Sequence, residues 1–265
     1  MIRLVATDVD GTLMAPGGTV PAGNIEALRE AAARGVMVAL ATVRVRRTAN
    51  RITAALGFPC GLVCQGGATV FDAEGRLLRE TSIPFDLARE IAAFSDANGV
   101  GLLTTVDEEH RYGPGYVPGL PGLQDRPPPL RTNIESVTKA PTRFMATGAR
   151  DVDLLIGRFG GAPLRIVRHY TAAGELVDVA ITAADANKEG GLATLCESLG
   201  IGLDEVLALG DAEADVGMIR AAGVGVAVAN ATAEVRGAAD WVAPPAEECG
   251  LAAALRKFVL TGPGR

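Results

Sequence analysis

Cysteine is scarce in this 265-residue chain: four residues, at positions 60, 64, 196 and 249, with no Cys-x-x-Cys pair among them. Neither a disulfide framework nor a structural zinc site is expected. Cys60 and Cys64, in GFPCGLVCQGG, read as small buried apolar side chains. Histidine is scarcer still, and His110 and His169 stand beside no other candidate group, which excludes a histidine-rich metal centre. No apolar run approaches the roughly 18 residues of a membrane span. The opening MIRLVATDVD reaches an acid too early for a secretory signal, so a cytoplasmic protein with no membrane partner is expected. A basic excess is missing as well: the net charge is -6 and the pI about 5.1, which argues against nucleic acid as a partner.

What is present is apolar and aliphatic: 48% hydrophobic residues with only 4% aromatics, and a mean hydropathy of +0.25. Such a chain folds, and at roughly 150 residues per domain its length falls between one domain and two.

Three apolar runs end alike. RLVATD stops at Asp8, VMVALAT at Thr42 and EVLALGD at Asp211, each short and without polar alternation, as in strands buried on both faces of a parallel sheet. Helical patterns accompany them at 22–35, 46–57, 187–200 and 213–223, each closing on glycine. Alternating strand and helix predicts a doubly wound α/β sheet. Ligands of such sheets sit beyond the carboxyl ends of the strands, where Asp8, Thr42 and Asp211 are each the first polar residue.

The middle of the chain reads differently. After a hairpin-like pair of runs around Ala73-Glu74-Gly75 come a helix at DLAREIAAFSDANG and candidate strands in GLLTTVD, PTRFMAT, LRIVRHY and ELVDVAI. The expected organisation is a discontinuous core, 1–81 with 186–265, interrupted by an α+β domain at 82–185. Asp107-Glu108-Glu109 reads as a solvated turn. The Pro- and Gly-rich 113–130 reads first as an extended surface excursion and second as a specificity loop.

Asp8 and Asp10 are two apart, so in an extended segment both carboxylates face one ligand; Gly11 allows the turn behind them, and Thr12 adds a hydroxyl. This short acid-rich turn, joined by Asp211 and Asp215 from GDAEAD, suits Mg²⁺, which takes one or two carboxylates together with waters and a substrate phosphate. Only three of the 25 basic residues are lysine, and one of them, Lys188, opens the helix at NKEGG, where a compact ammonium does what a guanidinium cannot.

DVDGTL, ATVR, NKEGG and GDAEAD, in that order and with the insert between the second and third, resemble the four motifs of the haloacid dehalogenase superfamily. The position and size of the insert resemble the Cof-like branch, which carries an α/β cap there. The resemblance implies a core with an inserted cap domain, a Mg²⁺-dependent phosphatase, and a small phosphomonoester, such as a sugar phosphate or phosphorylated cofactor, as substrate. It implies Asp8 as the nucleophile that becomes an aspartyl-phosphate and Asp10 as the general acid/base. Thr42 and Lys188 follow as binders of the transferring phosphoryl group, beside Gly11, Thr12, Val43 and Arg44. The metal would be held among Asp8, Asp10, Asp211 and Asp215.

Three positions depart from the family pattern: Val43 stands for the glycine of Thr-Gly-Arg, Ala214 for an asparagine, and Gln65 for another asparagine. Alternatives to hydrolysis are phosphomutase-type transfer and a weakly active or non-catalytic phosphometabolite binder. The assembly is expected to be a monomer or homodimer.

Overall fold

The computed structural model describes residues 1–117, 128–170 and 174–261, so most of the Pro- and Gly-rich 113–130 segment lies outside the described residues. The chain forms two compact units, Met1–Arg79 with Asn187–Arg265, and Glu80–Ala186.

The first unit opens with β1 (Leu4–Thr7), α1 (Ala22–Ala33), β2 (Met37–Ala41), α2 (Arg46–Leu56), β3 (Gly61–Cys64), β4 (Thr69–Phe71) and β5 (Leu77–Glu80). The second unit contains α3 (Phe85–Asn98), β6 (Leu103–Val106), β7 (Glu109–Tyr112), β8 (Arg143–Thr147), α4 (Ala149–Phe159), β9 (Leu164–Tyr170) and β10 (Leu176–Ala183). The chain then returns to the first through α5 (Lys188–Leu199), β11 (Val206–Gly210), α6 (Val216–Ala221), β12 (Val224–Val228), α7 (Ala233–Ala238), β13 (Trp241–Ala243) and α8 (Gly250–Leu255).

The first unit holds an eight-stranded sheet in the order β13-β12-β11-β1-β2-β3-β4-β5. From β13 to β3 every pairing is parallel; β4 then runs antiparallel to β3 and, with β5, forms the hairpin the sequence suggests around residues 73–75. The absence of polar alternation has a direct cause. Val5, Leu40, Leu62 and Leu207 point to one face, against Leu28 of α1, Ile52 of α2 and Leu251 of α8. Their neighbours Leu4, Ala39, Val63 and Ala208 point to the other, against Leu192 and Leu195 of α5 and Met218 of α6. Both faces are covered, as a doubly wound sheet requires.

β1 lies between β11 and β2, with Thr7 in register with Leu209 on one side and Leu40 on the other. The chain proceeds outward from β1 in both directions, so the strand order reverses beside it. This is the switch point at which such sheets open a crevice.

The second unit is an antiparallel sheet, β7-β6-β8-β10-β9. α3 and α4 cover one face, packing Ile91, Val152, Leu155 and Phe159 on Phe144, Val179 and Ile181. Asp107 and Glu108 both take positive φ, 53° and 62°, and make a two-residue hairpin turn of the kind that matches strand twist. Glu109, grouped with them by charge, instead begins β7. β7 and α4 have no counterpart in the sequence reading, nor in the first unit do β3, β12, β13, α7 and α8. α6 is shorter than its periodicity suggests, because a 3₁₀ turn occupies Glu213–Asp215 and the chain is extended at Ala222, so Gly223 is not its cap.

After β3 the backbone turns left-handed at three successive residues, Gln65 (φ 52°), Gly66 (69°) and Gly67 (105°). A Cβ on Gly67 would fall 2.0 Å from the Asn187 carbonyl oxygen, whereas one on Gly66 would meet nothing within 4 Å. Gly66→Ala is therefore expected to cost about 1–2 kcal/mol through backbone conformation alone. Gly67→Ala, which adds a backbone collision, is expected to cost about 2–5 kcal/mol. Urea denaturation midpoints measure both, and equal losses would remove the Asn187 contact from the account.

Candidate active site

Asp8, Thr42 and Asp211 are each the first residue past a strand, following β1, β2 and β11, so sheet pairing alone brings them to one rim. Lys188 reaches the same place as the first residue of α5. That helix start is held by Asn187, whose Oδ1 accepts from the Gly190 N–H at 2.7 Å.

The centre of the site is a buried triad. Lys188 Nζ donates to Asp8 Oδ1 at 2.5 Å and to Asp215 Oδ1 at 2.6 Å. Relative exposure is 3% for Lys188, 6% for Asp8 and 0% for Asp215. Asp215 commits its second oxygen too: Oδ2 accepts from the backbone N–H groups of Asp211 and Ala212, both at 3.0 Å. Asp211 in turn accepts from the Thr12 hydroxyl at 2.7 Å. Gly11 (φ 91°) lies so close beneath this carboxylate that a Cβ there would sit 2.5 Å from Asp211 Oδ2. Only glycine fits both the turn and the approach.

Charge in this cluster is unbalanced. Burial disfavours the Lys188 ammonium, but the fields of Asp215 and Asp8 outweigh it and raise its pKa. Burial pushes Asp8 well above the ordinary carboxylate range, opposed by Lys188 and reinforced by Asp215 and Asp211. Burial likewise raises Asp211, against the Thr12 hydrogen bond, and Asp215 adds to the rise. Asp8, Asp211 and Asp215 each present an oxygen within 4.8 Å of the others, a donor set of hard anions that one ammonium does not neutralise. These three residues fit a divalent cation. Asp215, with both oxygens engaged by the protein, suits support more than direct ligation.

Asp10 stands apart from that group. β1 ends at Thr7, before either Asp8 or Asp10, so both carboxylates are placed by the turn that follows and not by strand alternation. The half-exposed Asp10 side chain is gripped from two directions, by Arg44 Nε at 2.8 Å and Nη2 at 2.6 Å. These bonds, before any other influence, raise the Arg44 pKa. Arg44 also donates its backbone N–H to the buried Thr42 hydroxyl at 3.2 Å. Val43, between them, is half-buried, as is Ala214 in the 3₁₀ turn before Asp215.

Some functional neighbours were missed in the sequence. Asn230 donates from Nδ2 to the Gly11 carbonyl at 2.8 Å, across 219 positions, a link that no local motif signals. His110 and His169 both lie in the second unit; His169 pairs with Asp178 at 2.6 Å between neighbouring strands. None of the four cysteines forms a disulfide, and burial pushes the Cys60 thiol up to about 12 and Cys196 up to about 11, consistent with inert packing roles.

The family model for haloacid dehalogenase-like hydrolases matches residues 5–128 and 157–255. The chain is a haloacid dehalogenase-like hydrolase. Relatives of this hydrolase include a phosphoglycolate phosphatase of Methanothermobacter thermautotrophicus, 27% identical over 97% of this chain and 99% of its own. The 5-amino-6-(5-phospho-D-ribitylamino)uracil phosphatase of Bacillus subtilis is 26% identical, covering 98% of this chain and 96% of its own. Among solved structures, a phosphatase of the same superfamily from Bacteroides thetaiotaomicron superposes with a TM-score of 0.82 at 24% identity, over 97% of this chain and 95% of that one. A protein from Geobacillus kaustophilus reaches 0.84 at 27% identity, over 98% and 100%.

The upward shift of Asp211 has a measurable consequence. Without metal, the folded chain binds a proton at Asp211 more tightly than the unfolded chain does. Stability is then greatest below the unfolded carboxylate value, near 3.8, and falls as pH rises toward the folded value. Asp211→Asn keeps an oxygen for Thr12 and removes the charge. In chelator at neutral pH its Tm is expected to exceed wild type by roughly 2–4 °C, for about 1 kcal/mol recovered. A lower Tm in calorimetry would contradict the charge imbalance.

Proposed function

We propose that this protein is a Mg²⁺-dependent phosphatase of small phosphomonoesters, working through an aspartyl-phosphate on Asp8. The observation that carries the reading is the buried Asp8 carboxylate held at 2.5 Å by Lys188, at the strand-end crevice of a haloacid dehalogenase-like fold. A structural ion pair has no need of the uncompensated Asp211 beside it.

Lys188 holds Asp8 through Oδ1 and so orients the carboxylate that makes the in-line attack on phosphorus. As the bond from Asp8 to phosphorus forms, the bond to the leaving oxygen breaks. The Lys188 ammonium and the Thr42 hydroxyl are the groups that meet the charge on the transferring phosphoryl oxygens. Asp10 delivers a proton to the leaving oxygen and then takes one from the water that cleaves the acyl-phosphate. Arg44 holds both Asp10 oxygens in the present arrangement, so delivery requires one of those bonds to open. Asp8 and Asp211 are the residues that would hold the cation, with Asp215 behind them, and the bound ion supplies positive charge to the phosphoryl group and to Asp8.

The relatives include phosphatases of phosphoglycolate, of a ribitylaminouracil phosphate and of HMP-PP. Together they support a small phosphorylated metabolite as the substrate class without selecting one.

Phosphate release from a panel of alkyl and aryl phosphomonoesters tests the reading. Activity is expected with Mg²⁺ and not with chelator, and Asp8→Asn is expected to lose at least about 10³-fold. Retention of Mg²⁺-dependent turnover by Asp8→Asn would sink the mechanism. Asp10→Asn is expected to lose about 10²–10⁴-fold on alkyl phosphates, whose leaving oxygen needs a proton, and much less on p-nitrophenyl phosphate. Equal losses on both substrates would take the acid role away from Asp10.

A further inference from the structure

The cation-holding reading of Asp8 and Asp211 depends on the span between two turns, one after β1 and one after β11. The ladder fixes this span only as far as Asp8, whose N–H donates to the Leu209 carbonyl at 2.9 Å. Beyond it, the turn bearing Asp10, Gly11 and Thr12 and the turn bearing Asp211 leave the sheet. What rejoins them includes the loop between β12 and α7, residues 229–232.

This loop touches both turns. Asn230 Nδ2 donates to the Gly11 carbonyl at 2.8 Å, and the Thr232 backbone N–H donates to the Asp211 carbonyl at 3.1 Å. The other end of the Asn230 amide is anchored too, with Oδ1 accepting from the Ala246 N–H at 2.9 Å. The loop is itself braced: Ala231 N–H donates to the Val228 carbonyl at 2.9 Å, and the Arg236 guanidinium donates to the carbonyls of Ala229 and Ala231. A braced strut thus runs from Asp211 to Gly11, whose Cα lies directly against the Asp211 carboxylate.

We propose that Asn230 is a positioning residue that sets the distance between the two turns and thereby the affinity of the site for a divalent cation. The inference rests on the reading of Asp8 and Asp211 as cation ligands. Asn230 is exposed, so its hydrogen bond to Gly11 adds little to global stability, and water would satisfy either partner. Its effect is on orientation. Released from Asn230, the Gly11–Thr12 peptide can tilt, carrying the Thr12 hydroxyl that holds Asp211 Oδ1. Outer partners of metal ligands act in this way, and their loss weakens binding about 10–100-fold.

The experiment is Mn²⁺ binding to the full chain, followed by the electron paramagnetic resonance signal of the free ion, with no substrate present. Wild type is compared with Asn230→Ala and Asn230→Ser, whose side chains are too short to reach both Gly11 and Ala246. Expected is a loss of affinity of about 10-fold or more in both variants, with the metal-free Tm within about 2 °C of wild type. Wild-type affinity in either variant would overturn the positioning role. So would a fall in Tm large enough to show that the loop has come apart. Absence of saturable Mn²⁺ binding in wild type would overturn the cation reading itself, a result distinguishable from the other two.

Discussion

A lysine ammonium enclosed between two aspartates, and away from water, is the constraint on which the site depends. Lys188 is the hydrogen-bond donor to both Asp8 and Asp215 at this depth, and removing one partner of such a buried group commonly costs about 3–5 kcal/mol. The triad also joins three separate parts of the chain: the end of β1, the start of α5 and the turn after β11. Each must arrive at the right height. The parallel register of β1 with β11 sets two of them, and the Asn187 cap sets the third, with Gly67 leaving room for the Asn187 backbone to pass.

The same cluster shows why activity and stability pull apart here. Asp215 is fully satisfied, by Lys188 on one oxygen and two backbone N–H groups on the other. Asp8 and Asp211 are not balanced in this way, and burial raises both toward their neutral forms. A protein selected for stability alone would replace one of them. Retaining both keeps strong negative potential at the mouth of a switch-point crevice, which is what a hard cation and a phosphoryl group require.

Asp10 and Arg44 form a different kind of pair. Both are partly exposed, so their ion pair contributes little to folding, and its geometry matters more than its energy. A fork that occupies both oxygens fixes the direction of the carboxylate. Because Arg44 also donates to the Thr42 hydroxyl, the second-strand loop and the first-strand turn are oriented together. Val43 lies within this loop and Ala214 beside Asp215, so two of the three departures from the family pattern adjoin oriented groups, while the third, Gln65, lies in the left-handed turn after β3.

By itself the sequence determined three of the buried parallel strands, β1, β2 and β11, and five of the helices, because each depends on local pattern: unbroken apolar runs, helical periodicity, and a polar residue directly after a strand. It pointed to Asp8, Thr42 and Asp211 as one rim for the same reason, while Lys188, which opens a helix, was drawn to the site by the family resemblance. The hairpin strand β7 was not legible. It begins inside an acidic triplet that reads as solvent-facing, whereas α4, with Val152, Leu155 and Phe159 at helical spacing, was missed although its pattern is present in the sequence. Tertiary structure alone decided that β1 ends at Thr7, so that the turn after it and not strand alternation places Asp8 and Asp10. It also decided that Arg44 takes up Asp10 and that Asn230 reaches Gly11. These are contacts between turns far apart in the chain, and their geometry exists only once the sheet has set the distance between its strand ends.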